Sequence, residues 1–154
     1  MIISLRKNMS KKLITVSKNT LVEEALMIMK NHHFRHLPVV NSEDLIVGLI
    51  SELDLYKNLS PDEVTISQIM TKIVYTFDVK SSMKLVAEEM IKQKFSAFLI
   101  TQEKEVVGII TSEDMLQLLS QLLEDKNSAN SLIEDFLKTA NHISLAVRNP
   151  NLLT

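Results

Sequence analysis

One stretch of this chain is written twice. Gly48-Leu49-Ile50-Ser51-Glu52-Leu53-Asp54 returns as Gly108-Ile109-Ile110-Thr111-Ser112-Glu113-Asp114. Each copy reads glycine, two aliphatics, a hydroxyl residue, two further residues, then aspartate. The chain holds only 2 glycines in 154 residues, and both head this motif. An apolar run precedes each copy, Leu45-Ile46-Val47 or Val106-Val107, and a helical pattern follows. The motif therefore predicts one strand-to-helix corner used twice.

Such a corner has specific chemistry. Glycine lets another backbone or a ligand come close to the strand. The hydroxyl lands at a helix start, where unpaired N–H groups and the positive end of the helix dipole suit a phosphate. The aspartate follows one turn later, and its carboxylate can accept two hydrogen bonds from a vicinal diol such as a ribose. The same hydroxyl-to-acid spacing also makes a capping box, which needs no ligand. Both readings stand on the residues alone.

The flanks repeat as well. Thr15 returns as Thr76, 61 residues later, and Met9-Ser10 as Met70-Thr71. The stripe Val22, Ala25, Leu26, Met29 returns as Met83, Val86, Ala87, Met90, and Phe34 as Phe95. After the next turn the offset falls to 60, because Gln102-Glu103-Lys104 is one residue shorter than its counterpart. A deletion inside a turn is what a repeat tolerates. Neither copy is large enough to bury a good core alone, so the two should pack against each other. The boundaries expected are 9–60 for the first copy, 61–123 for the second and 124–154 for a helical extension.

Within the first copy, Ile14-Thr15-Val16 reads as a short strand. Thr20-Leu21-Val22-Glu23 reads as a capping box opening a helix that ends at Asn31-His32-His33. Phe34 to Val40 is the next strand, and Pro38 inside it predicts an edge strand or an unpaired N–H. A polar turn leads to a hairpin partner at Leu45 to Ile50. Ser51 to Leu59 is the second helix, so the unit is β-α-β-β-α. Ser60-Pro61-Asp62-Glu63 punctuates, and Thr65 to Met70 makes a short helical turn before the second unit. Beyond it, Leu132, Ile133, Phe136, Leu137, Ala140, Ile143 and Val147 recur at helical spacing. They predict an extra amphipathic helix that caps the pair or meets a second chain.

Composition narrows the function classes. A net charge of -2 offers no field for nucleic acid or an acidic membrane. No cysteine means no disulfide, thiol nucleophile or cysteine metal site, which agrees with a cytoplasmic setting. No apolar run approaches the roughly 18 residues of a spanning helix, and the start is too short in apolar residues for a signal peptide. His32 and His36 have a metal-ligand spacing only if they share a helix, and the helix ends between them. Asp54 and Asp114 have no nucleophile or base beside them in the pattern. Neither an enzyme nor a metal site is expected.

Phe34-Arg35-His36-Leu37-Pro38-Val39-Val40, Gly48 to Asp54 and their second-copy equivalents resemble a tandem pair of CBS domains, a Bateman module, over about residues 9 to 123. The resemblance implies an α+β fold: two β-α-β-β-α repeats packed with pseudo-twofold symmetry, here with an extra C-terminal helix. It implies two clefts between the copies that bind adenosine-containing ligands: AMP, ADP, ATP or S-adenosylmethionine. By the same resemblance Asp54 and Asp114 hold ribose hydroxyls, Ser51 and Thr111 face phosphate, and Thr15 and Thr76 border the adenine. Arg35 and His36 occupy positions that often contact phosphate. The second copy departs there, with Ser96 and Ala97 for Arg35 and His36 and Leu99 for Pro38, so unequal phosphate binding is expected. With no other domain in view, the expectation is a free-standing regulatory module that forms a homodimer and acts on an unknown effector protein. The rival expectation is an oligomerisation platform with vestigial clefts.

Overall fold

A computed structural model of the chain describes residues 3–59, 63–124 and 134. Its elements in the first copy are α1 (Leu5–Asn8), β1 (Val16–Ser17), α2 (Val22–His32), β2 (His36–Val40), β3 (Ile46–Ser51) and α3 (Glu52–Lys57). In the second they are α4 (Ile66–Ile69), β4 (Thr76–Asp78), α5 (Met83–Gln93), β5 (Ala97–Gln102), β6 (Glu105–Thr111) and α6 (Ser112–Glu124). The chain packs as two compact units, Met1–Ser112 and Glu113–Thr154. The first contains both sheets. The second is described along α6 and at Glu134. The expected helix over Leu132 to Val147 lies outside the described residues.

The fold is mixed α+β with two three-stranded sheets, ordered β1-β2-β3 and β4-β5-β6. In each, the first pair is parallel and the second antiparallel. Even the irregularity repeats, falling between Val39 and Val40 in one sheet and between Ile100 and Thr101 in the other. On α2 the stripe Val22, Ala25, Leu26 and Met29 is buried, and it packs with Leu37, Val39, Ile50, Leu55 and Ile66. Burying each such aliphatic contributes roughly 1.5–3 kcal/mol. A second cluster, Ala97, Leu99 and Ile109 with Leu13, Ile46 and Leu49, joins residues of both copies. The copies therefore share a core.

Each copy also lends its leading segment to the other. Ser10 exchanges backbone hydrogen bonds with Ile109, both 2.9 Å, and Thr71 does the same with Leu49, at 2.9 and 3.0 Å. The repeated glycines make room for these crossings. A Cβ on Gly48 would meet Met70 Sδ at 2.6 Å and Thr71 O at 3.0 Å, and one on Gly108 would meet Ser10 O at 2.8 Å and Met9 Sδ at 2.9 Å. The short helices swap in the same way, through the bridges Ser4 to Ser82 and Leu21 to Thr65. Four reciprocal contacts related by the repeat offset are what a pseudo-twofold pair produces.

One expectation resolves between its alternatives, one is corrected and one element is new. Pro38 sits in the central strand of its sheet, not at an edge. The alternative holds: Leu99 N, its counterpart, donates to Tyr75 O at 3.3 Å, a bond proline cannot make. Accordingly β4 starts at Thr76 while β1 starts one position later in the pattern, at Val16. Helix α2 is capped at Leu21, not Thr20, and the Glu24 carboxylate, not Glu23, accepts from the Leu21 N–H at 3.4 Å. Thr20 is occupied otherwise, its carbonyl accepting from Ile66 N at 2.9 Å. Finally, α1 was not foreseen, although Ser4-Leu5 stands 61 residues before Thr65-Ile66.

Candidate functional site

The corner after β3 is built as a capped helix. Ser51 closes the strand with extended φ and ψ of -102° and 157°, and its Oγ accepts from Asp54 N at 3.2 Å. Asp54 Oδ2 accepts in return from Ser51 N at 3.1 Å and from the Ser51 hydroxyl at 2.5 Å. The capping box is therefore real in the first copy. It leaves Asp54 Oδ1 without a hydrogen bond among the described residues, so one oxygen orients the carboxylate and the other can accept from a ligand. Strand register adds a neighbour: His36, first in β2, pairs with Ser51, last in β3.

These three residues line a cavity of about 280 Å³. Leu49 and Leu53 complete the first copy's side. Thr71, Ile73, Val74, Tyr75, Lys94, Phe95, Ser96 and Ala97 come from the second. His36 Nε2 lies 2.7 Å from Ser96 Oγ, a hydrogen bond that ties the copies together at the cavity wall. The Tyr75 and Phe95 rings pack with centroids 5.2 Å apart. Leu53, Ile73 and Tyr75 remain 60%, 68% and 41% exposed, so the rim holds apolar surface that a flat ligand would bury. Among the described residues of the lining, Lys94 is the only lysine or arginine and Asp54 the only carboxylate. Lys94 ends α5 in the left-handed conformation at φ 57°, as His33 ends α2 at φ 56°.

Not every expected residue meets here. Thr15 precedes β1 and Thr76 opens β4; both are exposed and neither lines the cavity. Arg35 lies just before β2 and outside the lining, with its Nε 3.5 Å from Glu52 Oε2. Its acid partner is thus at the start of α3. Thr111 ends β6, and Asp114 stands in the first turn of α6, at the repeat positions of Ser51 and Asp54. Sequence reasoning missed Tyr75, Lys94 and Phe95 as lining groups. Their neighbours Thr76 and Ser96 drew notice in the sequence, but the facing of the two copies is what brings these three to the cavity. Among the described residues no cluster of His, Asp and Glu is placed to hold a metal, and no helix is long and apolar enough to cross a membrane.

The family model of the CBS domain matches residues 3–61 and 66–121. The chain belongs to the CBS domain family and carries two copies of the domain. It is 36% identical over 111 residues to L-aspartate semialdehyde sulfurtransferase of Methanocaldococcus jannaschii, covering 71% of this chain and 22% of that protein. It is 31% identical over 108 residues to homoserine O-acetyltransferase of Methanohalobium evestigatum, covering 70% and 22%. The chain thus spans 22% of the length of these curated relatives. Among solved structures it is similar to the CBS domain pair of protein MJ0100 in complex with 5′-methylthioadenosine and S-adenosyl-L-methionine. That match has 34% identity and a TM-score of 0.72 over 79% of this chain and 98% of the other. An uncharacterized conserved protein from Pyrococcus horikoshii matches at 28% identity and TM-score 0.70, over 77% and 92%.

Proposed function

We propose that this chain is a regulatory module that senses an adenosine-containing small molecule and has no chemistry of its own. The observation that carries this is the divided carboxylate of Asp54: Oδ2 is held by Ser51 and Oδ1 is free to accept from a ribose, beside a rim of uncovered apolar groups. The similar domain pair that binds 5′-methylthioadenosine and S-adenosyl-L-methionine supports the same ligand class. AMP, ADP, ATP and S-adenosylmethionine are the candidates. A single lysine in the lining favours the less anionic of them, AMP or S-adenosylmethionine, over ATP, because each phosphate charge carried into a cleft asks for a partner. In this reading Ser51 and His36 face the ligand's polar tail, and Tyr75 lies against its base. Thr15, Thr76, Arg35, Thr111 and Asp114 serve by their repeat positions. The signal passes to a partner or attached protein, and the setting is cytoplasmic.

The test is direct. Native mass spectrometry of the purified protein identifies any retained ligand, and thermal unfolding with adenosine, AMP, ADP, ATP and S-adenosylmethionine ranks the candidates. A ligand that binds only the folded state raises the melting temperature. If none of the five does, the clefts are vestigial and the chain is an oligomerisation platform.

A further inference from the structure

A larger cavity of about 670 Å³ shares no lining residue with the cleft at His36 and Ser96. Its walls are the α1 segment, the corner from Val79 to Lys84 that joins β4 to α5, and Gln102 at the end of β5. Arg6, Lys80 and Lys84 all line it, and no carboxylate among the described residues does. The chain as a whole carries a net charge of -2, so this concentration of cations runs against the average.

The charges are available. Arg6 donates to Gln102 Oε1, a neutral partner, and no ion pair compensates the guanidinium among the described residues. Lys84 meets Glu88 at 3.5 Å, with both side chains largely exposed, and such a pair contributes little. Asp78 is engaged below the corner, where its Oδ1 accepts from Lys80 N at 2.8 Å. The Ser82 oxygen already accepts from Leu85 N at 3.2 Å, which leaves its hydroxyl hydrogen to donate. Ser81 adds a second hydroxyl to the same wall.

The other copy lacks this feature. The repeat positions of Arg6, Lys80 and Lys84 hold Ser67, Asn19 and Glu23. There the α4 segment is tied onto the corner by Ile66 N to Thr20 O at 2.9 Å and Ser67 N to Lys18 O at 2.8 Å. The cationic groove is therefore not a by-product of the repeat. It joins α1 of the first copy to the β4–α5 corner of the second.

We propose that this groove is a ligand site of a different kind, for a small molecule carrying several negative charges on phosphate or carboxylate groups. Three side chains, from α1, from the β4–α5 corner and from the first turn of α5, can surround a compact polyanion. The serine hydroxyls then add hydrogen bonds to its oxygens. The site is independent of the adenosine cleft.

Inorganic pyrophosphate and citrate, titrated into the full chain at constant ionic strength and followed by amide chemical shifts, test the proposal. Shifts should centre on Ser81, Ser82 and Lys84, and the tighter of the two probes names the source of the charge. Arg6→Gln, Lys80→Gln and Lys84→Gln should each weaken that probe by roughly twofold to fivefold, the effect of one exposed charge pair. The triple variant should lose about tenfold or more. All three residues are exposed, so unchanged melting temperatures should accompany these losses. Asp54→Ala should leave pyrophosphate binding intact, which separates this site from the adenosine reading. The proposal is overturned by the absence of shifts at the corner up to about 10 mM probe, roughly tenfold above a millimolar Kd. It is equally overturned by shifts centred on Lys94, or by a triple variant that binds as the parent does.

Discussion

The Ser51 hydroxyl donates to Asp54 Oδ2 across 2.5 Å while Asp54 N donates back to Ser51 Oγ at 3.2 Å. Capping and ligand binding are therefore not competing roles for this pair. The cap fixes the carboxylate's rotamer, and a fixed acceptor binds with less ordering cost than a free one.

Both roles are measurable in one variant. Asp54→Ala removes the return half of the box and should cost about 1 kcal/mol of stability. It should also weaken adenosine binding by roughly ten- to a hundredfold, the worth of a charge-assisted hydrogen bond. Ser51→Ala should show a similar stability loss with a smaller loss of affinity. Asp114→Ala should weaken the other site in the same way. Calorimetric titration and urea unfolding of the same samples give both numbers. Stability losses with unchanged affinity in both aspartate variants would reduce the motif to a helix cap.

The glycines give a prediction about the fold. Gly108→Ala would drive a Cβ to 2.8 Å from the backbone oxygen of Ser10, whereas the nearest atom at Gly48 is the flexible Met70 sulfur at 2.6 Å, with Thr71 O at 3.0 Å. A thioether rotates aside more readily than a paired strand moves. Gly108→Ala should therefore destabilise more than Gly48→Ala, with both in the range of about 1–3 kcal/mol for overpacking. Urea midpoints rank them, and the reverse order would show that the crossing backbone yields more easily than the sulfur.

Much of this architecture was legible because the chain states it twice. The offset from Thr15 to Thr76 and the paired glycine motifs located both sheets, and the stripes on α2 and α5 chose their buried faces. What was illegible depends on tertiary placement. Pro38 reads as an edge residue or one with an unpaired N–H, and only the fold decides for the second: it sits in a central strand because β1 begins after it has passed. Thr20 and Glu23 have capping-box spacing, yet Thr20 gives its carbonyl to Ile66 and the helix starts one residue later. The cleft was half visible. Ser51, Asp54 and His36 come from one copy. Tyr75, Lys94 and Ser96 reach it only because the copies face each other, and no local pattern encodes that.

Association is expected through α6. Leu116, Leu119 and Leu123 fall on one helical face and are 64%, 43% and 48% exposed. A stripe of this kind marks an association surface, and a second copy of the chain is the occupant proposed. Light scattering across micromolar concentrations should give a dimer mass, and Leu119→Lys should shift it towards the monomer. A monomer at every concentration would refute the expectation.

Arg35 carries the last prediction. Its Nε lies 3.5 Å from Glu52 Oε2, with 60% of the arginine side chain and 29% of the glutamate exposed. A pair that open to water contributes at most about 1 kcal/mol. Ser96, at the repeat position of Arg35, lines the described cleft. Arg35 thus holds in the first copy the position that Ser96 holds in the second, and it offers a permanent charge and a forked donor that serine lacks. The two clefts should therefore differ in their preference for phosphate. Arg35→Ala should weaken AMP by roughly tenfold or more at one site, as loss of a charged hydrogen bond requires, while adenosine changes little. Glu52→Gln removes the competing acid and should leave AMP binding as strong or stronger. Titration of AMP and adenosine into the parent and both variants decides the matter. Equal losses for the two ligands in Arg35→Ala would mean that the side chain supports the fold. A loss of AMP affinity in Glu52→Gln would mean that the ion pair with Glu52, and not the guanidinium by itself, is what the site uses.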